Sequence, residues 1–362
     1  MQRALDAAGR VQGFTSPNPW VGALIERDGE VLAVGATSPP GGGHAEANAI
    51  ASTPSAEGAT LYCTLEPCFP FEGKRTPPCS QAIIDAGIAR VVIAIEDPDP
   101  NVRGLGIESL RTAGVEVEVG DGAAAATEQL RPYIKHRQTS RPYVIAKFAT
   151  SLDGRIATAT GDSQWITGDA ARERAHEGRA IADAILVGSG TVLADDPSLT
   201  ARPGGIAAVR QPVRIVVDAR GRVRPDARLF KQPGHTIVVT AENSPAEYKG
   251  LITSAGAQLI ECEATATGIN LDQLLGILAR RGIVSIWAEG GATLLGSLFE
   301  GGHVDEVWAF VAPLLIGSDG LPAVALTGRA ALADSVRLQD PRIEALPPDV
   351  LIRGYTGVWS RP

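Results

Sequence analysis

Sulfur and aromatic residues are scarce in this chain: one methionine, four cysteines and 5% Phe, Trp and Tyr among 362 residues. Three of the cysteines, Cys63, Cys68 and Cys79, fall close together, and only Cys262 stands apart. That distribution does not resemble the disulfide framework of a secreted domain; in a large enzyme-like chain it points to metal. No apolar run approaches the roughly 20 residues needed to cross a bilayer. The start, Met1-Gln2-Arg3-Ala4-Leu5, has no apolar signal core, so a cytoplasmic location is expected. A basic excess is also missing. The formal net charge is −8, which argues against a broad nucleic-acid or anionic-membrane surface but leaves room for one phosphate held by local arginines. No G-x-G-x-x-G follows a strand-like run, so the usual dinucleotide fingerprint is absent.

What is present fits two domains. The chain is 44% hydrophobic and longer than one average domain. Residues 1 to 138 alternate helical and strand patterns. Arg3 to Ala8 reads as a helix, and Trp20 to Glu26 with Val31 to Val34 as a hairpin turned at Asp28-Gly29. Helix is expected from His44 to Ala51, from Cys79 to Asp85 and from Ile107 to Thr112. Strands are expected at Thr60 to Leu65, Arg90 to Ile95 and Val115 to Val119. The polar stretch from Lys135 to Pro142 reads as a linker. A second alternating domain, 141 to 362, then shows strand patterns at Tyr143 to Phe148, Ala184 to Val187, Arg214 to Val217, Thr236 to Val239, Ile283 to Trp287 and Glu306 to Val311. Its helical patterns are Asp169 to Ala182, Leu271 to Arg280 and Thr293 to Glu300. Both halves therefore read as layered α/β domains.

The segment His44-Ala45-Glu46, followed by Pro67-Cys68 and Cys79, carries the chemistry of the first half. One imidazole and two thiolates hold zinc and leave a fourth position open for water, whose pKa the metal lowers to about 7. Glu46 is placed to move protons without ligating. This matches the H-x-E…P-C-x-x-C signature of zinc deaminases, except that ten residues separate the two cysteines. Cys63 could be a fourth ligand of a structural zinc, but its place inside a strand favours a core residue. In the second half, Glu289-Gly290-Gly291-Ala292 follows a strand pattern and opens a helix. Small residues there let backbone N–H groups approach a pyrophosphate.

The order of further motifs resembles the family of bifunctional riboflavin-biosynthesis deaminase/reductases over nearly the whole chain. The first half carries Ser16-Pro17-Asn18-Pro19-Trp20-Val21-Gly22, Thr64-Leu65-Glu66-Pro67-Cys68 and Thr76-Pro77-Pro78-Cys79. The second carries Ser151-Leu152-Asp153-Gly154-Arg155, Ser163-Gln164-Trp165-Ile166-Thr167 and the run from Thr191 to Thr200. The resemblance implies a cytidine-deaminase-like three-layer domain (1–138) that deaminates a diaminopyrimidinone carrying phosphoribosylamine. It also implies a dihydrofolate-reductase-like domain (141–362) that reduces the ribose of the product with NADPH. It further implies zinc on His44, Cys68 and Cys79, and Glu46 as the catalytic residue. The cofactor is expected at Ala149, Trp165, Thr191, Asp195, Gly291, Ala292, Thr293, Leu294, Leu295, Gly296 and Ser297. The substrate is expected at Ser163, Arg179, Leu199, Arg202 and Glu289, the arginines as forked donors to its phosphate.

Lys147 and Asp153 are candidates to polarise the sugar, and Arg220 or Arg222 to meet the cofactor's 2′-phosphate. His136, His176, His235 and His303 read as surface or satisfied residues. A homodimer through the reductase domain is allowed. Two departures from the family pattern stand out. Phe69 to Arg75 replaces a shorter loop that carries a histidine, and Asp99 stands where the family favours asparagine. They keep open a deaminase acting on a different aminopyrimidine, beside a non-catalytic protein that binds zinc and NADPH.

Overall fold

In the computed structural model, which describes residues 1–70 and 78–359, the chain forms two compact units, Met1–Arg141 and Pro142–Pro362. Helix α1 (Gln2–Arg10) precedes the hairpin of β1 (Gly22–Arg27) and β2 (Glu30–Ala36). Asp28 and Gly29, at φ 54° and 84°, form the two-residue turn that Asp-Gly favours, because both positions need positive φ. Then come α2 (Ala45–Ala51), β3 (Thr60–Cys63), α3 (Cys79–Asp85), β4 (Arg90–Ile93), α4 (Leu105–Thr112) and β5 (Glu116–Val119). The sheet order is β2-β1-β3-β4-β5. β1 runs antiparallel to β2 and β3, while β3, β4 and β5 are parallel. Helices between parallel strands place the β3 and β4 C-termini, and the loops beyond them, on one rim of the sheet.

Two helices close the unit, α5 (Ala123–Gln129) and α6 (Arg131–Thr139). The second corrects the expected linker from Lys135 to Pro142. Pro132 sits in the first turn of α6, where its missing N–H costs nothing. Tyr133, Ile134 and Lys135 are buried, so this outwardly polar stretch belongs to the first core. The unit ends two residues beyond the helix.

The second unit runs β6 (Tyr143–Ser151), β7 (Arg155–Ala157), α7 (Asp169–Ile181), β8 (Ala184–Gly188), α8 (Ser189–Asp195), β9 (Val213–Val217) and β10 (Thr236–Ala241). It continues with α9 (Ala246–Ser254), β11 (Gln258–Cys262), α10 (Leu271–Arg280), β12 (Ser285–Ala288), α11 (Ala292–Glu300) and β13 (Glu306–Ala312). The last strands are β14 (Leu321–Pro322), β15 (Gln339–Leu346) and β16 (Asp349–Tyr355). Nine strands form one sheet, β11-β10-β9-β8-β12-β6-β13-β16-β15. The seven from β11 to β13 are parallel, and β16 and β15 add an antiparallel edge.

Alternate residues of a strand feed opposite faces. Val144 and Ala146 join one core cluster, and Tyr143 and Ile145 the other. Covered on both faces, the inner strands are mostly apolar, with Lys147, Arg214 and Ser285 among the exceptions. Helix α7 lies tight on the sheet at Gly178, where a Cβ would stand 2.3 Å from the Trp287 ring. The C-termini of β8 and β12 sit side by side. Each feeds a helix N-terminus, that of α8 and that of α11.

Candidate functional site

His44 is the N-cap of α2, at φ −76° and ψ 166°. The helix thus begins one residue later than the pattern implied, and the imidazole hangs off its end. Cys79 is the first residue of α3, after Pro78, and Cys68 lies in the loop beyond β3. These three elements bring the His44, Cys68 and Cys79 donor atoms within 4.8 Å of one another. His44 Nδ1 is 3.4 Å from Cys68 Sγ and 3.3 Å from Cys79 Sγ. The Cys79 backbone N–H donates to Cys68 Sγ at 3.3 Å, a contact that favours thiolate. Ligand bonds of 2.0 to 2.3 Å in a tetrahedron place N and S donors roughly 3.5 Å apart, so both separations from His44 suit zinc.

Cys63 is outside the cluster. It is fully buried in β3, its thiol faces the Val92 carbonyl at 3.8 Å, and burial pushes its pKa well up. Among the described residues the ligand set is therefore three, which suits a site with an open position. Glu46 lies in the first turn of α2 and is 3% exposed. Burial, reinforced by the Cys68 charge, pushes its carboxyl up to about 7. A group that titrates near neutrality suits proton transfer in both directions.

Sequence reasoning assigned no role to Glu66. Its Oε2 accepts from the Asp97 and Gly104 N–H groups at 3.1 and 2.9 Å, and its Oε1 from Gly106 and Ile107 at 3.0 and 3.3 Å. One buried carboxylate thus satisfies the start of α4 and ties it to the chain two residues before Cys68. Asp97 is buried beside it and accepts from Tyr133 Oη at 3.1 Å; desolvation pushes its pKa up to about 7. Asp99, the departure from asparagine, is held by the Asn101 side chain at 2.9 Å and by Arg137 at 3.6 Å. Its charge is compensated locally. Phe71 to Arg75 and Thr76-Pro77 lie outside the described residues.

In the second unit a cavity of about 420 Å³ opens at the N-termini of α8 and α11. It gathers Thr191, Gly291, Ala292, Thr293, Leu294 and Ser297 of the expected cofactor residues. Thr191 Oγ1 accepts from the Gly291 N–H at 2.9 Å, which joins the two helix starts. Leu295 and Gly296 are not among its walls. Leu295 is fully buried in the core, and a Cβ on Gly296 would stand 2.0 Å from the Ala325 carbonyl; both lie on the inward face of α11. Ala149, Trp165 and Asp195 lie outside the cavity too. Ala149 pairs with Phe310 in the sheet. Trp165 is 70% exposed, with the Arg172 guanidinium 4.7 Å from its ring. Asp195 is the exposed last residue of α8. Arg220 and Arg222 both line the cavity. So do Thr267 and Gly268, which only Gly268, a loop residue type, would have signalled.

Four expected substrate residues form a second group. Arg179 makes an ion pair with Glu289 at 2.7 Å, a hydrogen bond to its other oxygen at 3.1 Å, and donates to the Thr200 carbonyl at 3.1 Å. Most of its fork is spent on protein. Leu199 is buried at φ 51° and leads through Thr200 to Arg202, which is exposed and makes no ion pair among the described residues. The fifth, Ser163, is half-buried in the loop before Trp165. His176 belongs to this group, which the sequence reading missed. Its Nδ1 accepts the Arg202 N–H at 3.3 Å, and burial, then the Arg179 and Arg202 charges, push it down to about 4. Lys147 points its ammonium over Phe310 at 5.7 Å, with its pKa lowered by burial. Asp153 does not fit a sugar-polarising role. It accepts from Ser151 Oγ and the Gly317 and Ile316 N–H groups, which hold its pKa down to about 2.

Comparison with known proteins agrees with both halves. Residues 1–95 match the model of the cytidine and deoxycytidylate deaminase zinc-binding region, and residues 142–352 that of the RibD C-terminal domain. The chain is 41% identical to the riboflavin biosynthesis protein RibD of Bacillus amyloliquefaciens over 97% of this chain and 94% of that one. With the Escherichia coli K12 protein the identity is 39%, covering 97% of each. The structure of Acinetobacter baumannii RibD superposes with a TM-score of 0.88 at 35% identity, covering 98% of this chain and 97% of the other. A Thermotoga maritima diaminohydroxyphosphoribosylaminopyrimidine deaminase/5-amino-6-(5-phosphoribosylamino)uracil reductase gives 0.85 at 32% identity, covering 98% and 97%. A zinc-binding deaminase region followed by an NADPH-dependent reductase domain, matched along its full length, makes this chain a member of the RibD family of bifunctional riboflavin-biosynthesis deaminase/reductases.

Proposed function

We infer that the chain performs two consecutive reactions. The first is hydrolytic deamination of 2,5-diamino-6-(5-phosphoribosylamino)pyrimidin-4(3H)-one, and the second is reduction of the ribosyl group of the product to ribityl. The observation that carries this reading is the convergence of His44, Cys68 and Cys79 beside the buried Glu46. Those three residues would hold zinc, which supplies an acidified water. Glu46 would take one proton from the attacking water and pass it to the ring nitrogen, then carry a second, from the hydroxyl of the addition product, to the amine that leaves as ammonia. A carboxyl lifted by burial toward neutrality can do both.

In the second unit NADPH supplies hydride. Thr191 and the start of α11 would receive its pyrophosphate, and Arg220 and Arg222 its 2′-phosphate. Arg202 is the cation left for the substrate phosphate, with Arg179 held by Glu289 as a scaffold beside it. No described helix is long and apolar enough to cross a membrane. The test is Glu46→Gln. Ammonia release should fall by about 10³ or more, with zinc content unchanged and NADPH oxidation unchanged when deaminated substrate is supplied. Loss of zinc together with activity would make Glu46 a structural residue instead.

A further inference from the structure

After β9 the chain turns through Asp218-Ala219-Arg220-Gly221-Arg222-Val223. Asp218 is fully buried beneath this turn. Its Oδ2 accepts from the Arg222 and Val223 N–H groups at 2.7 and 2.8 Å, and from Tyr248 Oη at 2.5 Å. Tyr248 comes from α9, an element that lines no part of the cavity. Its ring also fills the space behind Gly221, where a Cβ would meet it at 3.0 Å and where φ is +65°. The turn is thus fixed from behind by a charge-assisted hydrogen bond and a ring. On the other side it presents Arg220 and Arg222 to the cavity. Arg222 Nη2 donates to Ser189 Oγ at 2.9 Å, at the start of α8. Arg220 is exposed and has no carboxylate partner among the described residues. A pair of guanidinium groups with no acid between them suits a phosphate dianion.

We propose that Asp218 and Tyr248 are positioning residues for cofactor choice, fixing the turn so that Arg220 and Arg222 meet a 2′-phosphate. The proposal rests on the reading of those arginines given above. It adds that discrimination against NADH depends on a hydroxyl that lines no part of the cavity. A loose turn would still carry two cations, but it would spend binding energy on ordering them.

The experiment uses the full chain and two probes, 2′,5′-ADP and AMP, with dissociation constants from calorimetry. Tyr248→Phe keeps the ring against Gly221 and removes only the hydroxyl. The expected result is a rise of about fivefold in the constant for 2′,5′-ADP, the size of one net hydrogen bond. AMP binding should stay within about twofold, and the NADPH-over-NADH ratio of kcat/KM should fall in parallel. Equal weakening toward both probes, or none toward either, overturns the proposal. Arg220→Ala and Arg222→Ala separate the two levels. If they abolish discrimination while Tyr248→Phe does not, the arginine reading stands and the positioning role falls. If neither changes discrimination, the arginine reading itself falls.

Discussion

Around His44, Cys68 and Cys79 the acids that matter are buried and bound in: Glu46 and Glu66 are each 3% exposed, and Asp97 is 5% exposed. In the second unit the candidate cations, Arg220 and Arg222 at the cavity and Arg202 in the second group, are exposed. Buried groups act in a medium of low dielectric, where each charge is strong and each missing partner costly. Exposed groups are screened and individually weak, so several must converge on one ligand. The first unit therefore carries a site assembled in advance for one proton-transfer task. The second carries an open receptor whose selectivity depends on where its turns are held.

The contrast is broken most directly by removing the metal. Chelation, or Cys68→Ser, should lower ammonia release by about 10³ or more and leave NADPH oxidation with supplied deaminated substrate unchanged. A parallel fall in the reductase would show that the two sites are not independent. Next in size is Glu66→Ala, which strands four backbone N–H groups. At about 1 kcal/mol or more for each group it should destabilise the first unit by roughly 3–5 kcal/mol. Urea unfolding checks this, and a shift under about 1 kcal/mol would mean that water replaces the carboxylate without loss.

Asp97 sharpens the comparison through pH. Its folded pKa of about 7 lies above the unfolded value of about 3.9. The native state therefore binds the extra proton. The associated stability is complete below about pH 4 and is lost as pH rises toward 7. Between pH 5 and 7 the wild type should lose about 2–3 kcal/mol relative to Asp97→Asn; parallel stability profiles for the two would contradict the assignment. The smallest effect belongs to the exposed side. Arg202→Ala should raise KM for the phosphorylated substrate about tenfold with kcat little changed, and the wild-type KM should rise with salt. An unchanged KM would remove Arg202 from the phosphate site.

The convergence of His44, Cys68 and Cys79, the α/β layering and most inner strands were legible because their signals are local. Leu271 to Arg280 reads as an amphipathic helix between Asn270 and Gly282, and α10 spans those residues. His44, Cys68 and Cys79 have side chains with few other reasons to sit at element ends. The linker reading failed because Lys135, His136 and Arg137 are polar by type, and only the fold reveals that Tyr133 and Ile134 anchor them. The hairpin of β15 and β16 escaped notice because Gln339-Asp340-Pro341-Arg342 looks like loop. It is the exposed edge of the sheet, where polar residues and proline are tolerated. His176 and Tyr248 were invisible for a different reason. Their partners are 26 and 30 residues away in sequence, and nothing local marks such a pair.

Gly178, described above as the point where α7 touches the Trp287 ring, also limits how this protein can change. Trp287 is itself wedged edge-on against Trp308, with ring centres 5.1 Å apart, so the indole cannot step aside. The helix that carries His176 and Arg179 is consequently keyed to a single height on the sheet. On the substrate reading proposed above, a new sugar or phosphate geometry would fall to the exposed Arg202 side chain, because the Thr200 carbonyl and the Arg202 N–H are themselves bonded to that helix.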